Sequence, residues 1–205
     1  GFMLVIPNLD RPFKTIGPVQ FEIGMSLNKV EAENIALTRK VTVGEEKRGG
    51  AHGISHTILK YSFLEFLGTV NPAAISEENN LSDDDIQKML TALWNGTDQL
   101  RTTSKNQTSR LLLKINVKDD VLLTDLSGVN TLENAEGLSN IGDVVLDVTK
   151  SFNQFKVFKK NIESIEYKAH PLLVCKYDDG DPDSFDKIIE EWSKDVGITV
   201  KPLDI

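Results

Sequence analysis

Two histidines, His52 and His56, lie in a glycine-rich segment that also contains Lys47 and Arg48. Two imidazoles can serve as general acid and general base in RNA cleavage, and a neighbouring cation can stabilise the charge that develops on the phosphate. A ribonuclease is therefore one hypothesis. Two points argue against it. No evident carboxylate could orient either ring. The glycine-rich segment is also interpreted as a loop, where a spacing of four residues does not place two side chains on one helix face.

The other candidate chemical sites are weaker. A variant of the nuclease hypothesis assigns the cut to Glu45 or Glu46, but adjacent carboxylates in a loop are more often solvated. The acidic run 178–183 lacks the regular ligand positions of a calcium loop, and a turn before a helix explains it better. Cys175 lies in an apolar run that predicts a buried thiol and not a nucleophile. We expect no catalytic residue, no metal and no cofactor.

Composition narrows the class of protein. The chain has 205 residues, of which 40% are hydrophobic, enough for one large domain or one domain with an appendage. No apolar stretch is long enough to cross a bilayer, and we find no secretory leader. With a single cysteine, these features predict a cytoplasmic protein without a membrane partner.

The distribution of charge matters more than its sum. A net charge of −8 argues against nucleic acid by itself. The segment 99–118, however, carries five cations and no carboxylate, and two further basic clusters hold Lys47, Arg48 and Lys60, and Lys156, Lys159 and Lys160. Separate basic patches can bind a polyanion on one face. Scattered solvated charge is the alternative.

Hydrophobic periodicity places the elements that would position these residues. Ser82 caps a helix with apolar residues from Ile86 to Trp94, ending at Gly96, and a second helix runs from Ser184 to Gly197. Strands are predicted at 19–27, 57–70 and 110–117. Strand, insertion, strand, helix, strand is the second half of a βαββαβ unit. The expected fold class is thus α+β, ferredoxin-like or RNA-recognition-motif-like.

The segment after residue 120 is less regular. Short strands with turns come first, then either a strand pair or a short helix and a strand from Gln154 to Ala169, and then a strand around Cys175. We expect residues 121–205 to pack on the same body as residues 1–120.

The insertion at about residues 28–55 is too long and too polar for a hairpin turn. Its strand-like piece and glycine-rich return predict a projecting β-arm that binds something. Arg39, Lys40, Lys47 and Arg48 supply cations, and Ile35, Leu37, Val41 and Val43 supply apolar surface. An arm for dimerisation, or a disordered loop, is the alternative.

Several motifs, in order, resemble the DevR-type CRISPR-associated proteins, and more narrowly the repeated backbone subunit of the type I-B Cascade complex. The resemblance covers about residues 17–120. The motifs are "GPVQFEIGMSLNKVE", "YSFLEFLGTVNPAA", "LSDDDIQKMLTALWNGTDQLRTTSK" and "SRLLLKINVKDD".

The resemblance implies a subunit that polymerises along one CRISPR RNA. A palm with the RNA-recognition-type fold holds the guide by its backbone, and a thumb, the insertion, interrupts the guide–target duplex. The implied partners are CRISPR RNA, the target DNA strand paired to it, neighbouring copies and other Cascade subunits. The RNA-binding residues that it implies are Arg39, Lys40, Lys47, Arg48, His52, Arg101, Thr102, Ser104 and Lys105.

The family's N-terminal strand end and basic helix are not visible in the sequence. Because Gly1 leads directly into an apolar run, we expect the first strand and helix of the palm to lie upstream of this chain. A ferredoxin-like module whose arm only contacts another protein remains a third hypothesis.

Overall fold

A computed structural model describes residues 2–4, 13–15, 17–40, 51–75, 80–102, 105–118 and 121–205, with the backbone alone for 2–4, 13–15, 37–40 and 51–56. The described chain is a mixed α+β structure with three α-helices and several small sheets. The expected α+β class is confirmed. Among the candidate residues, Lys47, Arg48 and Ser104 lie outside the described residues, as do Glu45 and Glu46.

The first ten strands and the first helix occupy the N-terminal half. The strands are β1 Phe2–Leu4, β2 Phe13–Thr15, β3 Val19–Phe21, β4 Met25–Ser26, β5 Ala32–Lys40, β6 Ala51–Leu59, β7 Leu64–Glu65, β8 Gly68–Val70, β9 Arg101–Thr102 and β10 Lys105–Asn106. Helix α1 spans Asp83–Gln99, after a 3₁₀ turn at Pro72–Ala74.

The remaining elements form the C-terminal half. They are β11 Leu111–Val117, β12 Thr131–Leu132, a 3₁₀ turn Ile141–Asp143, β13 Val145–Asp147, α2 Thr149–Val157, β14 Ile162–Ala169, β15 Val174–Lys176, β16 Asp183–Ser184, α3 Phe185–Val196 and β17 Thr199–Pro202. For the segment from Gln154 to Ala169, the alternative of a short helix and a strand is therefore the right one.

One long interrupted hairpin runs from β3 to β8. Its stem pairs β3 with β8 and β4 with β7, and its outer part, the ribbon, pairs β5 with β6. The prediction of continuous strands over residues 19–27 and 57–70 is therefore wrong, because each segment is divided into separate strands. Phe21 lies opposite Gly68 but Met25 lies opposite Glu65, so the first strand contains one extra residue, a bulge. Gly24 sits in that bulge, where a Cβ would collide with the Phe66 ring.

The main core belongs to the C-terminal half. Helix α3 buries the whole stripe that its sequence predicts, which comprises Phe185, Ile188, Ile189, Trp192 and Val196, and it ends at Gly197 in the left-handed conformation. Phe152 of α2 is fully buried, with its ring centroid 4.5 Å from that of Trp192. Helices α2 and α3 thus join through aromatic packing.

A three-stranded sheet of order β11-β14-β17 covers one side of this core, with β14 antiparallel to β11 and parallel to β17. Ile165 and Tyr167 point into the core. On the opposite face, Glu166 lies between Lys114 at 3.2 Å and Lys201 at 3.5 Å. In the described residues β3 and β8 pair with each other and not with β11, so the ferredoxin-like strand order stays a prediction.

Helix α1 begins at the predicted N-cap, Ser82. The Ser82 hydroxyl accepts from the Asp85 backbone N–H at 3.2 Å. The Asp85 carboxylate in turn accepts from the Ser82 N–H, which completes a capping box. The helix continues through Gly96, the predicted stop, to Gln99. An isolated glycine costs a helix only about 1 kcal/mol, and the turn it belongs to is closed by a hydrogen bond from Leu100 N–H to the Gly96 carbonyl.

The Trp94 side chain is 8% exposed, whereas Leu93 beside it is 37% exposed. We expect Trp94→Ala to lower the free energy of unfolding by about 3–5 kcal/mol, because it leaves a cavity where α1 meets the rest of the protein. Urea unfolding measures the effect, and Leu93→Ala is the control. Equal losses for the two variants would contradict the packing described.

Candidate nucleic-acid interface

The ribbon is a two-stranded antiparallel arm with nine residue pairs, from Ala32 opposite Leu59 to Lys40 opposite Ala51. Nine strand residues span about 30 Å. Arg39 lies opposite His52, and Ile35 lies opposite His56. The predicted β-arm is thus present, but the interpretation of the histidine segment as a loop is wrong, since both histidines lie in β6.

Charge is unevenly distributed along the ribbon. At its base, Lys60 binds Glu33 at 2.9 Å and Glu31 at 3.2 Å, and these hydrogen bonds, led by that from Glu33, raise the pKa of Lys60. Arg39 and Lys40 occupy the other end of β5. The base of the ribbon therefore carries a paired, slightly acidic cluster, and its far end carries the cations that could meet a polyanion.

A buried asparagine organises the ribbon root, which we define as residues 26–29 and 61–63. Asn28 is 7% exposed. Its Oδ1 accepts from the Phe63 backbone N–H at 2.7 Å, and its Nδ2 donates to the Tyr61 carbonyl at 3.3 Å. The Ser26 hydroxyl donates to the Asn28 carbonyl at 2.9 Å. The side chain thus replaces the ladder hydrogen bonds lost where stem and ribbon change register.

Polar and apolar contacts fix the root to the core. The Lys29 N–H donates to the Ala135 carbonyl at 2.9 Å, and Leu27, Tyr61 and Phe63 pack against the main core cluster. In the stem, the Glu65 carboxylate accepts from the Gly128 N–H at 2.9 Å and from the Asn130 side chain.

Asn130 in turn accepts at 2.8 Å from Ser151, a buried residue of α2. The stem is therefore connected by hydrogen bonds to α2, which packs on α3 in the main core.

The second group of candidates lies just beyond α1. Strands β9 and β10 form a small hairpin in which Arg101 is opposite Asn106 and Thr102 is opposite Lys105. All four residues are exposed, and the Arg101 Nε donates to the Asp98 carbonyl at 3.2 Å. The structure thus brings Arg101, Thr102 and Lys105 together, as cations and a hydroxyl that are open to solvent.

Two residues that the sequence did not mark as site residues lie between this small hairpin and the ribbon root. Arg110 Nη1 is 3.1 Å from His170 Nδ1. The Asp98 carboxylate accepts from the Ser109 N–H at 2.6 Å, which places Arg110 close to the end of α1. Burial raises the pKa of Tyr61, and the charge of Arg110 opposes that rise. Arg110 was visible within the basic run 99–118, whereas nothing local marks His170.

Neither a metal centre nor a reactive thiol is found among the described residues. No three His, Cys, Asp or Glu side chains of the described part come together to hold an ion. Cys175 is fully buried in β15, and burial raises the pKa of its thiol to about 12, which confirms the prediction of a buried thiol. No described helix is both long and apolar enough to cross a membrane.

Exposed cations that cluster on one part of a surface, as Arg101 and Lys105 do, are typical of proteins that bind a polyanion. The family model for CRISPR-associated protein Cas7 matches residues 2–149. Because the match covers well over half of the chain, the chain belongs to this family, whose members are backbone subunits of CRISPR effector complexes. RNA and other CRISPR-associated proteins are therefore the implied partners. No curated protein matches the chain.

Replacing Asn28 tests the role of the root. Asn28→Ala leaves the partly buried Phe63 N–H without its acceptor, so we expect a loss of about 1–3 kcal/mol in the free energy of unfolding. The matched control is Asn34→Ala in the ribbon, where the exposed side chain bonds Thr57 alone among the described residues and the expected loss is below about 0.5 kcal/mol. Urea titration measures the free energy of unfolding of both variants. Equal losses of stability in the two variants would refute the anchoring role of Asn28.

Proposed function

We propose that the protein is a non-catalytic subunit that polymerises along CRISPR RNA in a type I, I-B-like Cascade effector. Residues 1–120 supply a partial palm with a thumb at about residues 28–55, most of which belongs to the ribbon, and residues 121–205 pack on the same palm. The subunit holds the guide by its phosphates and 2′-hydroxyls, and the ribbon interrupts the guide–target DNA duplex at regular intervals.

One observation carries the proposal: the ribbon is a long arm whose cations lie at its far end and whose root is fixed to the core. A guide of any sequence must be held by its backbone and shape, because base-edge contacts would restrict the sequences that fit. A paired two-stranded arm with cations and alternating apolar positions meets that requirement. The family membership agrees with it.

The positions of the histidines favour a non-catalytic role. His52 and His56 lie four residues apart in one strand, so their Cα atoms are about 13 Å apart. A general acid and a general base must both come within hydrogen-bond reach of the same phosphate. This separation along an extended strand is poorly suited to that task.

Removing the ribbon's cations should reduce the salt dependence of RNA binding. We expect alanine at Arg39, Lys40, Lys47 and Arg48 together to weaken binding and to lower the slope of log K against log salt by about 0.7 for each lost phosphate contact. Fluorescence anisotropy with labelled RNA at several salt concentrations measures the slope.

Lys60→Ala is the control in the same ribbon, because Lys60 is already paired with Glu31 and Glu33 and its loss should leave the slope unchanged. An unaltered slope in the fourfold variant would remove these residues from the RNA interface.

Replacing the two histidines tests the absence of catalysis. We expect the double variant His52→Ala, His56→Ala to give the same RNA fragments as the wild type on a denaturing gel, after incubation with CRISPR repeat RNA. A fragment made by the wild type and lost in the variant would establish the nuclease function instead.

A further inference from the structure

We infer that Arg110, oriented by His170 at the root of the ribbon, forms a binding site for a backbone phosphate of the bound RNA. The inference rests on the proposed function. It gives a role to Arg110, which belongs to the motif "SRLLLKINVKDD" but is not among the implied RNA-binding residues, and to His170, which lies outside the quoted motifs. The ligand class is a phosphodiester, and its oxygens would accept from the donors of the Arg110 guanidinium.

Arg110 has more donors than partners. A guanidinium carries five N–H donors. Among the described residues, the Arg110 side chain has one hydrogen-bond partner, the ring of His170, and forms no ion pair with a carboxylate. Arg110 is partly exposed, and none of its nitrogens is a buried atom without a hydrogen-bond partner, so its unused donors are open to solvent. An arriving phosphate would supply both acceptors and the opposite charge to these donors.

His170 is held as a neutral acceptor. Its Nδ1 faces two donors, the Arg110 guanidinium at 3.1 Å and the Leu172 backbone N–H at 3.1 Å, so the ring proton belongs on Nε2. Burial, and then the charge of Arg110, lower the pKa of His170, while Asp98 opposes them weakly. A neutral ring orients the guanidinium and leaves its positive charge intact, whereas a carboxylate would neutralise that charge.

The backbone fixes both residues. Leu111 lies opposite Ala169 in the β11–β14 ladder, and the His170 N–H donates to the Arg110 carbonyl at 2.8 Å. Arg110 and His170 are therefore the next pair of the same ladder, at the end of a sheet that covers the main core. The site is preorganised, and little side-chain freedom is lost when an anion binds.

The pair lies close to both the ribbon root and the small hairpin. Tyr61 of the ribbon root lies within the electrostatic reach of Arg110. On the other side, Asp98 links Ser109 to Arg101 of the small hairpin. An RNA strand that runs from the small hairpin to the root of the ribbon would pass Arg110.

Substitution at the pair tests the site in the full-length protein with labelled RNA. We expect Arg110→Ala to bind RNA about tenfold more weakly and to lower the salt slope by about 0.7, with RNA specificity unchanged. His170→Asn retains an acceptor at the position of Nδ1 and should bind RNA as the wild type does. His170→Ala removes that acceptor and should weaken binding by an intermediate factor.

Lys194→Ala, which removes an exposed cation from the last turn of α3, is the charge control and should leave both quantities unchanged. Thermal unfolding of each variant identifies any loss of fold, and Arg110→Lys provides a second test, since it retains the charge and should recover most of the slope. If the wild type binds no RNA, the proposed function and this site are both overturned. If it binds RNA and Arg110→Ala matches it in affinity and slope, only this site is overturned.

Discussion

The arrangement of the arm depends on the hydrogen bonds of one buried side chain. Asn28 occupies the point where the stem and the ribbon have different registers, and it bonds the Phe63 N–H and the Tyr61 carbonyl, which the ladder leaves unpaired. Without these bonds, two partly buried backbone groups would lose their hydrogen-bond partners. The ribbon's direction relative to the core therefore depends on a polar network, although the core itself is apolar.

The two halves of the described chain have different physical roles. Packing energy is concentrated in the C-terminal half, around Phe152, Trp192 and the inner face of the three-stranded sheet. The N-terminal half contributes exposed cations and a long arm with little buried surface of its own. Contacts of Leu27, Tyr61 and Glu65 fix the N-terminal half to the C-terminal half. Arg110 and His170 lie where the two halves meet.

Local patterns predicted the helices better than they predicted the sheets. The stripe of α3 and the capping box of α1 are encoded within a few turns, so both were found from the sequence. The stop at Gly96 was wrong because a glycine is only a weak helix breaker. The strand breaks at Gly24 and Asn28 depend on pairing with residues about 40 positions away, which no local pattern reveals.

The candidate nucleic-acid interface could also be predicted only in part from the sequence. The arm and the basic run 99–118 are visible as composition, and the positions of Arg101, Thr102 and Lys105 agree with an exposed interface. His170 was missed because its role comes from pairing with Arg110 across 60 residues of sequence. The RNA contacts of individual residues stay predictions.

A density map of the assembled effector bound to its RNA tests the central claim most directly. The account predicts that positions 39, 40, 51 and 52 of the ribbon lie against the sugar–phosphate backbone of the guide while the root keeps its contacts with the core. A ribbon folded against its own body, or directed into solvent away from the RNA, would contradict it.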